Sequence, residues 1–138
     1  MLYDDNTDLP LQEQSELSKK IHILMLEMGA VTHLKGFAYL CRAIEIVYDD
    51  PDAIHNVVKG LYSRIAKEAG TTSSCVERDI RTELRVILMS GTLSLLDDRF
   101  THFGHRSKAV SARKFIALFA EKLRHELIDT QSVSFRII

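Results

Sequence analysis

The stretch from Leu61 to Arg85, LYSRIAKEAGTTSSCVERDIRTELR, constrains the fold of this chain more than any other. Two helical patterns meet there across a single glycine, so two helices must cross at a fixed, short distance. Ile65 and Ala66 sit inside the first, and the small Ala66 lets the second cross closely. Gly70 stands where the chain needs a positive φ to leave the first helix. The second opens at Thr72 or Ser74. Either hydroxyl can cap it, and Ser74 with Glu77 has the spacing of a capping box. Val76, Ile80, Leu84, Ile87 and Leu88 then recur on one face, whereas Glu77, Arg78, Arg81 and Arg85 fall elsewhere. This is the grammar of a helix-turn-helix, in which one face of the second helix packs and the other reads a DNA groove.

The remaining patterns are helical as well. After an acidic, polar start with Pro10, read as a disordered arm over residues 1–16, Leu17, Ile21, Leu24 and Met28 form an apolar stripe ended by Gly29. A second helix starts near Lys35, turns Phe37, Leu40, Cys41, Ile44, Val47 and Tyr48 inward, and stops at Asp49, Asp50 and Pro51. Pro51 can begin a third, to Tyr62, which leads into the short helix Ser63 to Ala69. The longest helix is expected from Ser73 to about Ser90, with Gly91 ending it. A short helix near Ser94 to Phe100, the loop THFGHRSKAV and a last helix from Ser111 to Ile128 complete the series. Only the tail VSFRII, within residues 129–138, alternates with a period of two, as a frayed end or an edge that pairs with a partner. The expectation is an all-α fold, a compact bundle of about six helices with the helix-turn-helix inside a domain spanning 17–128.

The net charge of −1 conceals an asymmetry. Residues 1 to 52 hold four Lys and Arg against ten Asp and Glu, a balance of −6; residues 53 to 138 hold fourteen against nine, a balance of +5. Arg99 to Arg124 carries seven basic residues and one acidic, so the second half offers a surface for phosphate. No apolar run approaches the roughly 20 residues that span a bilayer, and the acidic start is neither a signal nor a transit peptide, so a soluble, cytoplasmic protein without a membrane partner is expected. Cys41 and Cys75 are not spaced for zinc or redox work; Cys41 reads as a buried free thiol. His102 and His105 lack accompanying ligands and read as part of a polar loop rather than a metal centre. No nucleophile elbow, phosphate loop or zinc-protease motif frames the Ser, His and Asp residues, which points away from an enzyme, a cofactor or a small-molecule substrate.

The segments GAVTHLKGFAYLCRAIEIVYDD and LYSRIAKEAGTTSSCVERDIR, with FIALFAEKLRHE near the end, resemble the DNA-binding effector domain of stage-zero sporulation protein A, a response regulator that commits bacteria to sporulation. The resemblance runs from about Ile23 to Leu127 and rests on His33, Lys35, Gly36, Tyr39 and Leu40 in one block and Val76, Glu77, Arg78, Ile80 and Arg81 in another. It implies a sequence-specific transcriptional regulator bound to double-stranded DNA, with two copies on tandem sites touching through their late helices, here Ser111 to Ile128.

The resemblance also implies site residues. Glu77, Arg78 and Arg81 match the family's base-contacting positions, and the chemistry fits, since an arginine fork matches O6 and N7 of guanine and a glutamate accepts from cytosine N4. The competing reading is a solvated face on which Glu77 pairs with Arg81, worth about 0.3 to 0.5 kcal/mol. Lys35 and Gly36 at a helix start form either a phosphate clamp or a plain helix start with an exposed lysine. Thr72, Ser74, Arg85 and Lys108 are further candidates for the DNA backbone. Three positions depart from the family. Cys75 stands where arginine is usual, Thr82 where histidine is usual, and Asp79 where a small apolar residue is usual. These departures favour the rival reading, a helical interaction module that kept the fold and acts on a partner regulator. The family's effector domain follows a phosphorylatable receiver domain, and the arm ahead of Leu17 is too short to be one, so an excised domain or a free-standing relative is expected.

Overall fold

The computed structural model describes residues 11–90 and 111–137, with side-chain surroundings over 16–90 and 111–126. It contains five α-helices: α1 (Leu11–Glu27), α2 (Lys35–Asp49), α3 (Ser63–Ala69), α4 (Ser73–Ser90) and α5 (Ala112–Ile137). There is no strand among the described residues, so the chain is all-α. The expected helix at Ser94 to Phe100, the histidine pair and Lys108 lie outside the described residues.

α2 is the centre of the fold. Phe37, Leu40, Cys41, Ala43, Ile44, Ile46 and Val47 are all buried, covering most of its circumference, and it packs chiefly against α4 on one side and α5 on the other. A helix with so wide an apolar face must be covered on more than one side, and each fully buried Leu or Ile contributes roughly 1.5 to 3 kcal/mol. α1 adds Leu17, Ile21, Met25 and Met28, while Leu24 is only partly buried. α5 adds Phe115, Ile116, Phe119, Ala120 and Leu123, the two phenyl rings meeting edge to face with centroids 5.8 Å apart. Cys41 is a buried free thiol, pushed up to about 12 by burial, with the charges of Glu45 and Glu83 adding to the shift.

Several boundaries differ from expectation. α1 begins at Leu11, so residues 11–16 of the expected arm are helical; the Leu, Gln and Glu there lose little rotamer freedom in a helix. α5 runs on to Ile137, past Ile128, so the tail is helix rather than edge, and α5, not α4, is the longest helix. A short alternation carries little weight against a helix already propagating from an enclosed stem. The expected third helix is instead a 3-10 helix at Pro51–His55 and a π-helical turn at Val57–Tyr62. Asn56, at φ −139° and ψ 66°, breaks the run, and its carbonyl accepts from both Gly60 and Leu61 at 3.0 Å.

Candidate nucleic-acid interface

α3 and α4 are joined by Gly70, Thr71 and Thr72. Gly70 adopts φ 71° and ψ 35°, and its amide and that of Thr71 both donate to the Ala66 carbonyl. A Cβ on Gly70 would meet nothing within 4 Å, so the left-handed conformation alone demands glycine. Thr72 supplies the cap, its Oγ1 accepting from the Cys75 amide at 3.2 Å. Ser74 is therefore inside the first turn and exposed, and the expected capping box with Glu77 does not form. Ser73 Oγ donates to the Val58 carbonyl at 3.2 Å, as does Ser63 Oγ. The start of α4 is thus fixed to the π-helical turn that precedes α3.

Val76, Ile80, Leu84 and Ile87 are buried along the inner face of α4. On the outer side the Arg78 and Arg81 side chains are 65% and 59% exposed, enough to reach a ligand without rearrangement. Arg81 Nη2 lies 3.5 Å from Glu77 Oε2, the anticipated pair one turn apart, and Arg78 Nε lies 3.5 Å from Asp79 Oδ1. Such long, solvated pairs are worth at most about 1 kcal/mol and leave both guanidinium groups available. Arg85 is exposed on the same side. Thr82 Oγ1 donates to the Arg78 carbonyl at 3.1 Å, turned onto its own helix. Cys75 is half-buried at the third position of α4, its thiol pulled below the ordinary range by hydrogen bonds to Thr72 and then Thr71, with Arg78 contributing.

Lys35 is exposed at the first position of α2. Gly36 is buried, and a Cβ there would lie 2.1 Å from the Asp79 carbonyl oxygen and 2.8 Å from Glu83 Cβ. Gly36 is thus the point of closest approach between α2 and α4.

Three groups behind the interface carried no sequence signal. Arg42 on α2 grips Glu68 on α3 with two hydrogen bonds, Nε to Oε1 at 2.9 Å and Nη2 to Oε2 at 3.0 Å, and reaches Glu45 at 3.2 Å. That grip holds the Glu68 carboxyl below its ordinary range. Tyr62 is buried behind the Glu77–Arg81 pair, its phenol pushed up to about 12 by burial, with Glu77 adding to the shift and Arg81 opposing it. Glu83, on the inner side of α4, is completely buried. Periodicity finds apolar faces, and these polar partners are separated along the chain by up to 26 residues for Arg42 and Glu68 and 52 for Glu83 and Val31.

Fold and surface together define an all-helical domain in which one long helix, held by a capped turn behind it, presents a mixed-charge face. Residues 21–123, about three quarters of the chain, match the family described as sporulation initiation factor Spo0A, C terminal. The chain belongs to this family, that of the DNA-binding effector domains of sporulation response regulators. No described helix is long and apolar enough to cross a membrane.

Proposed function

We propose that this protein is a sequence-specific transcriptional regulator in which α3, the Gly70–Thr72 turn and α4 act as a helix-turn-helix and α4 enters the major groove. The observation that carries this is the division of α4, with Val76, Ile80, Leu84 and Ile87 enclosed and Arg78, Arg81 and Arg85 exposed together on a helix whose start is pinned by Thr72 and Ser73. In this reading Glu77, Arg78 and Arg81 meet base edges. Lys35, Thr72, Ser74 and Arg85 meet the sugar-phosphate backbone, and Lys108 is assigned to it from the sequence alone. Two copies on tandem sites meet through α5. Family membership supports DNA as the ligand.

The second reading, an interaction module acting on a partner regulator, is favoured by Asp79 beside Arg78, which brings negative charge to the helix that would face phosphate. Selection from a random duplex pool followed by a salt titration separates the two. A DNA reader yields an enriched site, and log affinity falls with log salt by about 0.9 per phosphate contacted. No enriched site, or affinity indifferent to salt, overturns the DNA reading.

A further inference from the structure

Glu83 is a carboxylic acid with no exposed surface, on the helix proposed to read DNA and on its inner side. Its Oε2 accepts from the Val31 amide at 2.7 Å, while Oε1 is buried without a hydrogen-bond partner. Val31 belongs to the loop between α1 and α2, which carries the exposed Thr32 and His33 and leads into exposed Lys35 and buried Gly36 of α2, where Gly36 crosses Asp79 and Glu83. Leu34 caps α2 without a side-chain hydrogen bond, and among the described residues two side chains of α4 hold this loop: Ser90 Oγ donates to the Met28 carbonyl at its start at 2.6 Å, and Glu83 accepts from Val31 further along. At 100° per residue, Asp79 and Glu83 occupy the edge of α4 facing α2, next to Thr82 and Cys75 on the outer surface. The loop therefore flanks the proposed reading helix.

A buried carboxylate with one donor for two oxygens is costly, and a neutral carboxyl group in the same place much less so. The charged group that acts on Glu83 is His33 from the loop, whose charge favours ionisation; Glu83 in turn helps raise the pKa of the Cys41 thiol of α2, which stays neutral. On its own helix, Asp79 lies one turn earlier. Burial dominates and raises the Glu83 pKa, with the Val31 amide and His33 opposing it in that order.

We propose that Glu83 is a positioning residue, a proton-dependent latch that docks the Val31–Leu34 loop against the back of α4 when neutral and loosens it when ionised. Resting on the DNA reading above, the latch makes DNA affinity depend on pH, because the docked loop steadies His33 and the start of α2, where Lys35 stands, beside the backbone that α4 engages. Apparent affinity then scales with the docked fraction, and by reciprocity DNA promotes proton uptake.

The test compares the wild type with Glu83→Gln, which retains an acceptor for Val31 without a charge, and with Glu83→Met, which removes both in an apolar setting and guards against a misfolded first variant. Amide exchange at Val31 is followed without DNA, and duplex affinity at constant salt, from the ordinary carboxyl value of 4.5 upward to about pH 8. Protection of Val31 in the wild type, relative to Glu83→Gln at the same pH, should fall as pH rises, and in Glu83→Met it should be low throughout. Wild-type affinity should fall by roughly three- to tenfold more than that of Glu83→Gln over the same range, the histidines common to both cancelling. Parallel Val31 exchange in wild type and Glu83→Gln overturns the latch whatever DNA does. A pH-dependent latch with parallel affinity profiles overturns its role in DNA binding. A latch in a protein that selects no duplex overturns the proposed function instead.

Discussion

Gly36→Ala is the most exacting test of how α4 is placed. The added Cβ would stand 2.1 Å from the Asp79 carbonyl oxygen, whereas carbon-to-oxygen contacts settle at about 3.3 Å, so α2 and α4 must part by roughly 1.2 Å at their crossing. The obstacle is backbone, which cannot rotate away, and the Glu83 Cβ at 2.8 Å blocks the neighbouring route. Overpacking of this kind costs about 1 to 3 kcal/mol. Alanine's better helix propensity offsets up to about 1 kcal/mol, less in a first turn. A net loss of about 2 kcal/mol corresponds, at roughly 2 cal/mol/K per residue of unfolding entropy, to a Tm lower by about 7 °C. Thermal unfolding followed by circular dichroism measures it, with Gly70→Ala as the comparison: nothing lies within 4 Å there, so only the positive φ is strained, at about 1 to 2 kcal/mol. Because only Gly36→Ala displaces α4, it should also weaken binding to the selected duplex in the cold, where both variants are folded. A Tm within a degree or two of wild type for Gly36→Ala would refute the crossing geometry.

Arg78→Ala and Arg81→Ala should each cost on the order of 1 to 3 kcal/mol for the preferred site and relax its sequence preference, with helicity intact; wild-type affinity and selectivity in either variant removes that side chain from the readers. Cys75→Arg restores a cation at the third position of α4, and binding should tighten with a log-log salt slope steeper by up to about one; a folded variant that binds no better at low salt shows that α4 does not dock in this way. The Glu68 carboxyl is held below its ordinary value of 4.5 first by the Arg42 hydrogen bonds, so its contribution is full above that value and lost as pH falls through the folded-state pKa. Glu68→Gln should therefore flatten the acid limb of a stability-against-pH curve while changing neutral stability by at most about 1 kcal/mol, as befits a partly exposed pair; an unchanged acid limb refutes the linkage.

The helical segments were readable because each carries its own punctuation. Gly29 and Gly70 sit at the expected helix ends with φ of 90° and 71°, Pro51 follows the end of α2, and the Val76, Ile80, Leu84, Ile87 spacing marks the buried side of α4. The 3-10 and π segments between Pro51 and Tyr62 were not readable, since Asn56 and the paired valines neither forbid nor require an α-helix and the choice is made by what α2, α4 and α5 leave room for. The tail misled because five or six residues of alternation are compatible with either state when a helix already leads into them.

By itself the sequence determined where α2, α3 and α4 run, which side of α4 is apolar, and that Glu77, Arg78, Arg81 and Arg85 stand clear of that packed side, because these follow from a period of 3.6 residues and from local capping. Tertiary structure alone decided that Gly36 is the crossing point of α2 and α4, that Arg42 grips Glu68, and that Glu83 is sealed against Val31. Each of these depends on residues far apart in the chain being brought within about 3 Å, and at that range the cost of a Cβ, a charge or an unpaired oxygen is set by the neighbour, which no local pattern encodes.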